Sequence, residues 1–112
     1  MSKHYSLDNL KEIAGDDKSF LSLVAKTFLD EIPIDLKAMT DAVENENKEL
    51  AYQFAHKMKP NIEMFNIDIL NEITTIERWS KNNEDNDVVK DIVNRVNKIL
   101  KEVFVELKAD FK

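Results

Sequence analysis

The chain has 112 residues, a formal charge of −6, 43% hydrophobic and 34% charged residues, no cysteine, one glycine and two prolines. That describes one domain over residues 1–112, long enough to bury its own core and too apolar to be disordered. Disulfides and thiolate chemistry are excluded, a nucleic-acid partner is not expected without a basic face, and the glycine-rich loops of Rossmann and P-loop proteins are missing.

Hairpin turns need glycine or asparagine at positive φ, so a chain this poor in glycine is expected to be all-α. No apolar run is long enough for a signal peptide or a bilayer span. A cytoplasmic location without direct membrane contact is expected.

The helices can be placed from apolar period and punctuation. Ser6 can cap a short first helix carrying Leu7, Leu10 and Ile13, and Gly15 supplies its left-handed stop. Asp16 or Asp17 can cap a second helix bearing Phe20, Leu21, Val24, Ala25, Phe28 and Ile32, which Pro33 should bend before Leu36, Met39 and Val43 continue the stripe. Residues 44–47 read as a turn, with Asn47 as the next cap. The third helix runs through Ala51, Phe54, Ala55, Met58, Ile62 and Phe65; Asn66 tolerates a left-handed backbone and Asp68 can cap the fourth helix. That fourth helix presents Ile69, Leu70, Ile73, Ile76 and Trp79, and residues 80–87 form a polar, asparagine-rich loop. Val89, Ile92, Val96, Ile99, Val103 and Leu107 mark the last helix. Long amphipathic helices joined by short links predict an antiparallel up-down-up-down four-helix bundle with a short N-terminal helix.

On the third helix, at about 100° per residue, Phe54, Met58 and Phe65 lie roughly 160–200° from His56, with Ala51 and Ile62 beside them. His56 therefore points away from the core, among Glu49, Tyr52, Gln53, Lys59, Pro60 and Glu63. A solvated surface histidine is the commonest meaning of such a pattern. A metal site is disfavoured, because Glu49 and Glu63 each lie about 10.5 Å from His56 along the axis. General acid–base chemistry lacks any visible group to orient the ring. The third option is a nucleophile: an exposed, convex imidazole that accepts a group from another protein, with Lys59 one turn away to offset its charge.

The string Leu50-Ala51-Tyr52-Gln53-Phe54-Ala55-His56-Lys57-Met58-Lys59 resembles the signature helix of histidine phosphotransfer (HPt) domains of two-component phosphorelays. That signature runs A-H-x-L-K-G-(S/A), with a second small residue about ten positions after the histidine. Ala55, His56, Met58 and Lys59 match it, Met58 standing for leucine. Residues 7–32, with the Gly15-Asp16-Asp17 turn before Phe20 and Leu21, are similar to the family's first two helices, and residues 44–50 to its link into the histidine helix. The likeness covers residues 5 to about 80. It departs at Pro60 and Asn66, where the family carries glycine. Pro60 removes the N–H that would bond the His56 carbonyl, so a bend is expected at the histidine, with the apolar stripe continuing past it.

The resemblance implies that His56 takes a phosphoryl group from a receiver-domain aspartate and passes it to another, in a carrier with no kinase activity of its own. Lys59 would stabilise the phosphate charge; Lys57, Gln53 and Tyr52 are possible supporting residues. No intrinsic cofactor or metal is implied, since magnesium would sit on the partner receiver of a hybrid kinase or response regulator. A monomer is expected. The alternatives are a binding module of the same fold that has lost phosphoryl chemistry through Pro60, and a helical adaptor that pairs through its last helix.

Overall fold

Caps and turn residues set where each helix begins and ends. The computed structural model describes residues 4–82 and 84–111, and every regular element among them is an α-helix: α1 (Asp8–Ala14), α2 (Lys18–Glu44), α3 (Lys48–Met64), α4 (Leu70–Asn82) and α5 (Asn86–Asp110). The Asp17 carboxylate accepts from the Phe20 amide at 3.2 Å and the Asn47 side chain from the Leu50 amide at 3.2 Å, as their spacing predicts. Gly15 and Asn66 adopt positive φ, 69° and 53°; Glu46 does so as well, at 55°. The Glu46 turn is held by its amide on Val43 O and by the Asn47 amide on Ala42 O, which satisfies two otherwise orphaned carbonyls of α2.

Three local expectations are corrected. Leu7, not Ser6, holds the cap position of α1, although the Ser6 hydroxyl still accepts from the Asp8 amide at 3.2 Å; the Ser6 backbone is tied to the α3–α4 turn, donating to Phe65 O at 2.8 Å and accepting from the Asn66 side chain. The predicted loop at 80–87 is mostly helix, because α4 runs to Asn82 and α5 starts at Asn86. Asn86 accepts a 3.1 Å hydrogen bond from the buried Trp79 indole, a pairing that composition does not reveal. On α5 the buried seam is Val89, Val93, Val96, Leu100, Val103 and Leu107, while Ile92 and Ile99 are only half-buried. Spacings of four and three alternate strictly in the observed seam, which keeps one line facing the core.

Contacts between helices run in sequence: α3 packs against α2 and α4, α5 packs against the same two, and α1 rests on α2. Trp79, Phe28 and Phe65 are the largest fully buried side chains, with the two phenylalanine rings 4.6 Å apart. Each such side chain contributes about 1.5–3 kcal/mol relative to exposure. On α3 the buried stripe is Ala51, Ala55, Met58 and Ile62, so burial sets the rotation of this helix and turns its opposite face outward. Pro33 and Pro60 both lie inside helices that continue past them. No helix among the described residues is long and apolar enough to cross a membrane.

Candidate functional site

His56 projects from the outward face of α3 with its side chain 66% exposed. Its ring is nevertheless held on two sides. From α4, Glu77 Oε2 lies 2.8 Å from His56 Nδ1, and from one turn back on α3 the Tyr52 ring stacks on the imidazole, 5.7 Å between centroids and 12° from parallel. The Glu77 side chain is only 10% exposed, and its second oxygen accepts from Lys59 Nζ at 3.1 Å. Burial works to raise the Glu77 carboxyl, but the hydrogen bonds from His56 and Lys59 outweigh it and the group titrates below its ordinary 4.5.

This arrangement decides which ring nitrogen is available. An ionised carboxylate only accepts, so the proton of the His56–Glu77 bond belongs to Nδ1. In the neutral ring the lone pair then sits on Nε2, which has no hydrogen-bond partner among the described residues. The result is an imidazole of fixed tautomer and orientation whose free nitrogen is open to another molecule. Such a ring can attack an electrophile or take up a proton. Pro60 leaves α3 unbroken, and the histidine stays on its exposed side.

The two predicted lysines divide between two carboxylates, and Tyr52 and Gln53 bind neither. Lys59 is beside the site, with its ammonium bonded to Glu77 and further N–H groups to spare. Lys57 points the other way and binds Asp35 of α2 at 3.0 Å, so it is drawn from the histidine. Tyr52 touches the ring by stacking. Gln53 is exposed and hydrogen-bonds to neither ring nor neighbour among the described residues. Among those residues no group of three or more His, Asp or Glu side chains is placed to hold a metal ion.

Glu77 is the member that sequence reasoning missed. It lies about 40° from Ile73 on the helical wheel, inside the apolar arc of α4, where a charge needs a partner. That was the available signal. Lys81, four residues on, disguised it by offering an ordinary surface pair. Asp35 is the same kind of omission, a buried carboxylate on the apolar side of α2 that answers Lys57.

Comparison of the chain with protein-family models, with curated proteins and with solved structures returned no match.

Proposed function

We propose that this protein is a histidine phosphotransfer module that relays a phosphoryl group between receiver-domain aspartates in cytoplasmic two-component signalling, with His56 as the carrier. The observation that carries the reading is the His56–Glu77 bond, which engages Nδ1 and leaves Nε2 without a hydrogen-bond partner among the described residues on a ring 66% exposed. The signature-like string around His56 and the turns that precede it support the same reading. So does packing: short links at 45–47 and 65–69, with Asp35 set against Lys57, fit an antiparallel up-down-up-down arrangement of the four longer helices.

The step balances without a further proton donor. The Nε2 lone pair attacks the phosphorus of the receiver's aspartyl phosphate; an N–P bond forms, the P–O bond breaks, and the aspartate leaves as carboxylate. The ring becomes a phosphorylated imidazolium that keeps its Nδ1 proton, with the Glu77 carboxylate compensating its charge. In the onward step an acceptor carboxylate attacks phosphorus and the imidazole leaves neutral, in its original tautomer. Because the Nδ1 proton never has to leave, no proton transfer limits either direction. Charge on the equatorial oxygens needs cations nearby; Lys59 supplies one, and the receiver's magnesium supplies the other. A convex nucleophile suits this chemistry because the receiver brings the pocket.

The test is phosphoryl transfer from a phosphorylated receiver with magnesium. Label should appear on this protein, labile in acid and stable in alkali as a phosphoramidate is, and His56→Gln should remove it while helicity is retained. Label that persists in that variant refutes the assignment.

A further inference from the structure

We infer that the seam between α2 and α5 is a docking groove for an acidic amphipathic helix of a partner protein. The groove has a volume of about 380 Å³, and none of its lining comes from α3 or α4, which carry His56 and Glu77. A partner seated there leaves the histidine accessible.

Its floor is apolar, built from Pro33, Leu36 and Phe104. The polar pair at one end is already satisfied within the protein: the Asn97 amide donates to Thr40 Oγ1 and to Val93 O, both at 3.0 Å, and the Thr40 hydroxyl donates to Leu36 O at 2.7 Å. The floor therefore calls for aliphatic side chains, not for hydrogen-bonding ones. Along α2 the lining runs from Pro33 to Asp41, eight residues or about 12 Å, long enough for the i to i+7 anchors of a docked helix.

The lip supplies the sign of the partner's charge. Along the last turns of α5, Lys98, Lys101 and Lys108 are exposed, and none has an ion-pair partner among the described residues. Glu102, the i+4 neighbour of Lys98, turns to the other flank and lies 2.6 Å from His4 Nε2, and no acidic residue stands three or four positions from Lys101 or Lys108. Across the groove Asp41 is neutralised by Lys37 at 3.0 Å. Val105, between Lys101 and Lys108 in sequence, adds a 69% exposed apolar side chain to the same stretch of α5. On a chain of net charge −6, an unneutralised basic strip beside an apolar groove steers an acidic segment to this seam and repels it from the rest of the surface.

The probe is a synthetic helical peptide of about 16 residues, with leucines at i, i+3 and i+7 and glutamates on the flanks. It is titrated into the ¹⁵N-labelled full chain, beside a lysine-flanked peptide of the same leucine pattern and phosphatidylserine vesicles. The glutamate peptide should shift the amides of Leu36, Thr40, Asn97 and Phe104 and leave His56 and Gln53 unmoved. Reversing the charges (Lys98→Glu, Lys101→Glu, Lys108→Glu) should weaken binding by about tenfold or more, with helicity unchanged. Absence of shifts along the seam, equal binding of the lysine peptide, shifts produced by the vesicles in place of the peptide, or self-association of the chain through this face would each overturn the proposal.

Discussion

The two histidines of this chain are both held by glutamate and both partly exposed, yet they are suited to opposite tasks. His4 lies between Glu102 and Glu106 of α5, 2.6 Å from Nε2 and Nδ1 respectively, and its own backbone amide donates to Glu106 at 2.8 Å. When the ring is protonated both nitrogens donate, one to each carboxylate, and the Glu106 hydrogen bond raises the pKa of His4 and so favours that form, which has no lone pair to offer. His56 meets a single carboxylate and keeps one nitrogen free. Exposure does not separate them, at 41% for His4 and 66% for His56. The number of carboxylates does: two make a clasp that ties the N-terminal segment to α5, and one orients the ring while leaving a nitrogen open.

The largest test of that contrast is a pair of substitutions. His56→Gln should abolish uptake of label from a phosphorylated receiver, whereas His4→Gln should leave the uptake rate within about twofold, since it touches no part of the site. Next comes the carboxylate. Glu77→Gln keeps the shape but loses a charge-assisted bond of about 1.5–3 kcal/mol, so uptake should slow roughly 10- to 100-fold, read by rapid-quench transfer kinetics. An unchanged rate would show that the tautomer is not set by Glu77.

The two lysines sharpen the picture further. Lys57→Met leaves the buried Asp35 carboxylate unpaired and should cost about 1–2 kcal/mol in urea denaturation, in the lower range because the lysine head is solvated. Transfer should be little altered. Lys59→Met should do the reverse, slowing transfer a few-fold with a smaller loss of stability. If both variants lose stability and neither loses rate, Lys59 belongs to the scaffold and not to the site.

The smallest effect is in the pH dependence of stability. The Glu106 hydrogen bond holds His4 above its ordinary 6.5; desolvation opposes this, and the charges of Glu102 and Glu106 add to it. The folded state therefore favours the protonated ring. The clasp's contribution is complete below pH 6.5 and fades as pH rises through the raised folded value. Wild-type protein should exceed His4→Gln in urea midpoint just below pH 6.5 and converge with it at alkaline pH; a constant gap would contradict the clasp. Glu77 has the opposite sign. Burial pushes it up, but the His56 and Lys59 hydrogen bonds prevail and hold it below 4.5. It therefore stabilises above pH 4.5 and loses that contribution as pH falls through its folded value.

Much of the fold was legible in the residues themselves. Asp17, Asn47, Gly15 and Asn66 act where their chemistry predicts, because a cap or a left-handed residue works through neighbours within four positions of itself. The outward direction of His56 was legible for a similar reason, since Ala51, Ala55, Met58 and Ile62 define the buried side of α3 by their spacing alone. Residues 80–87 misled because asparagine and aspartate favour loops on average, while here Asp85 caps the next helix and Asn86 satisfies the indole of Trp79.

From its residues alone, then, the chain settled its helices, most of their ends and the side of α3 on which His56 stands. Those properties depend on local spacing. Which nitrogen of His56 is free, why Lys57 and Lys59 part company, and why His4 is closed while His56 is open were settled only by packing. Each depends on a carboxylate far away in sequence, Glu77, Asp35, Glu102 or Glu106, and burial of α2, α4 and α5 against their neighbours is what brings those charges within hydrogen-bond distance.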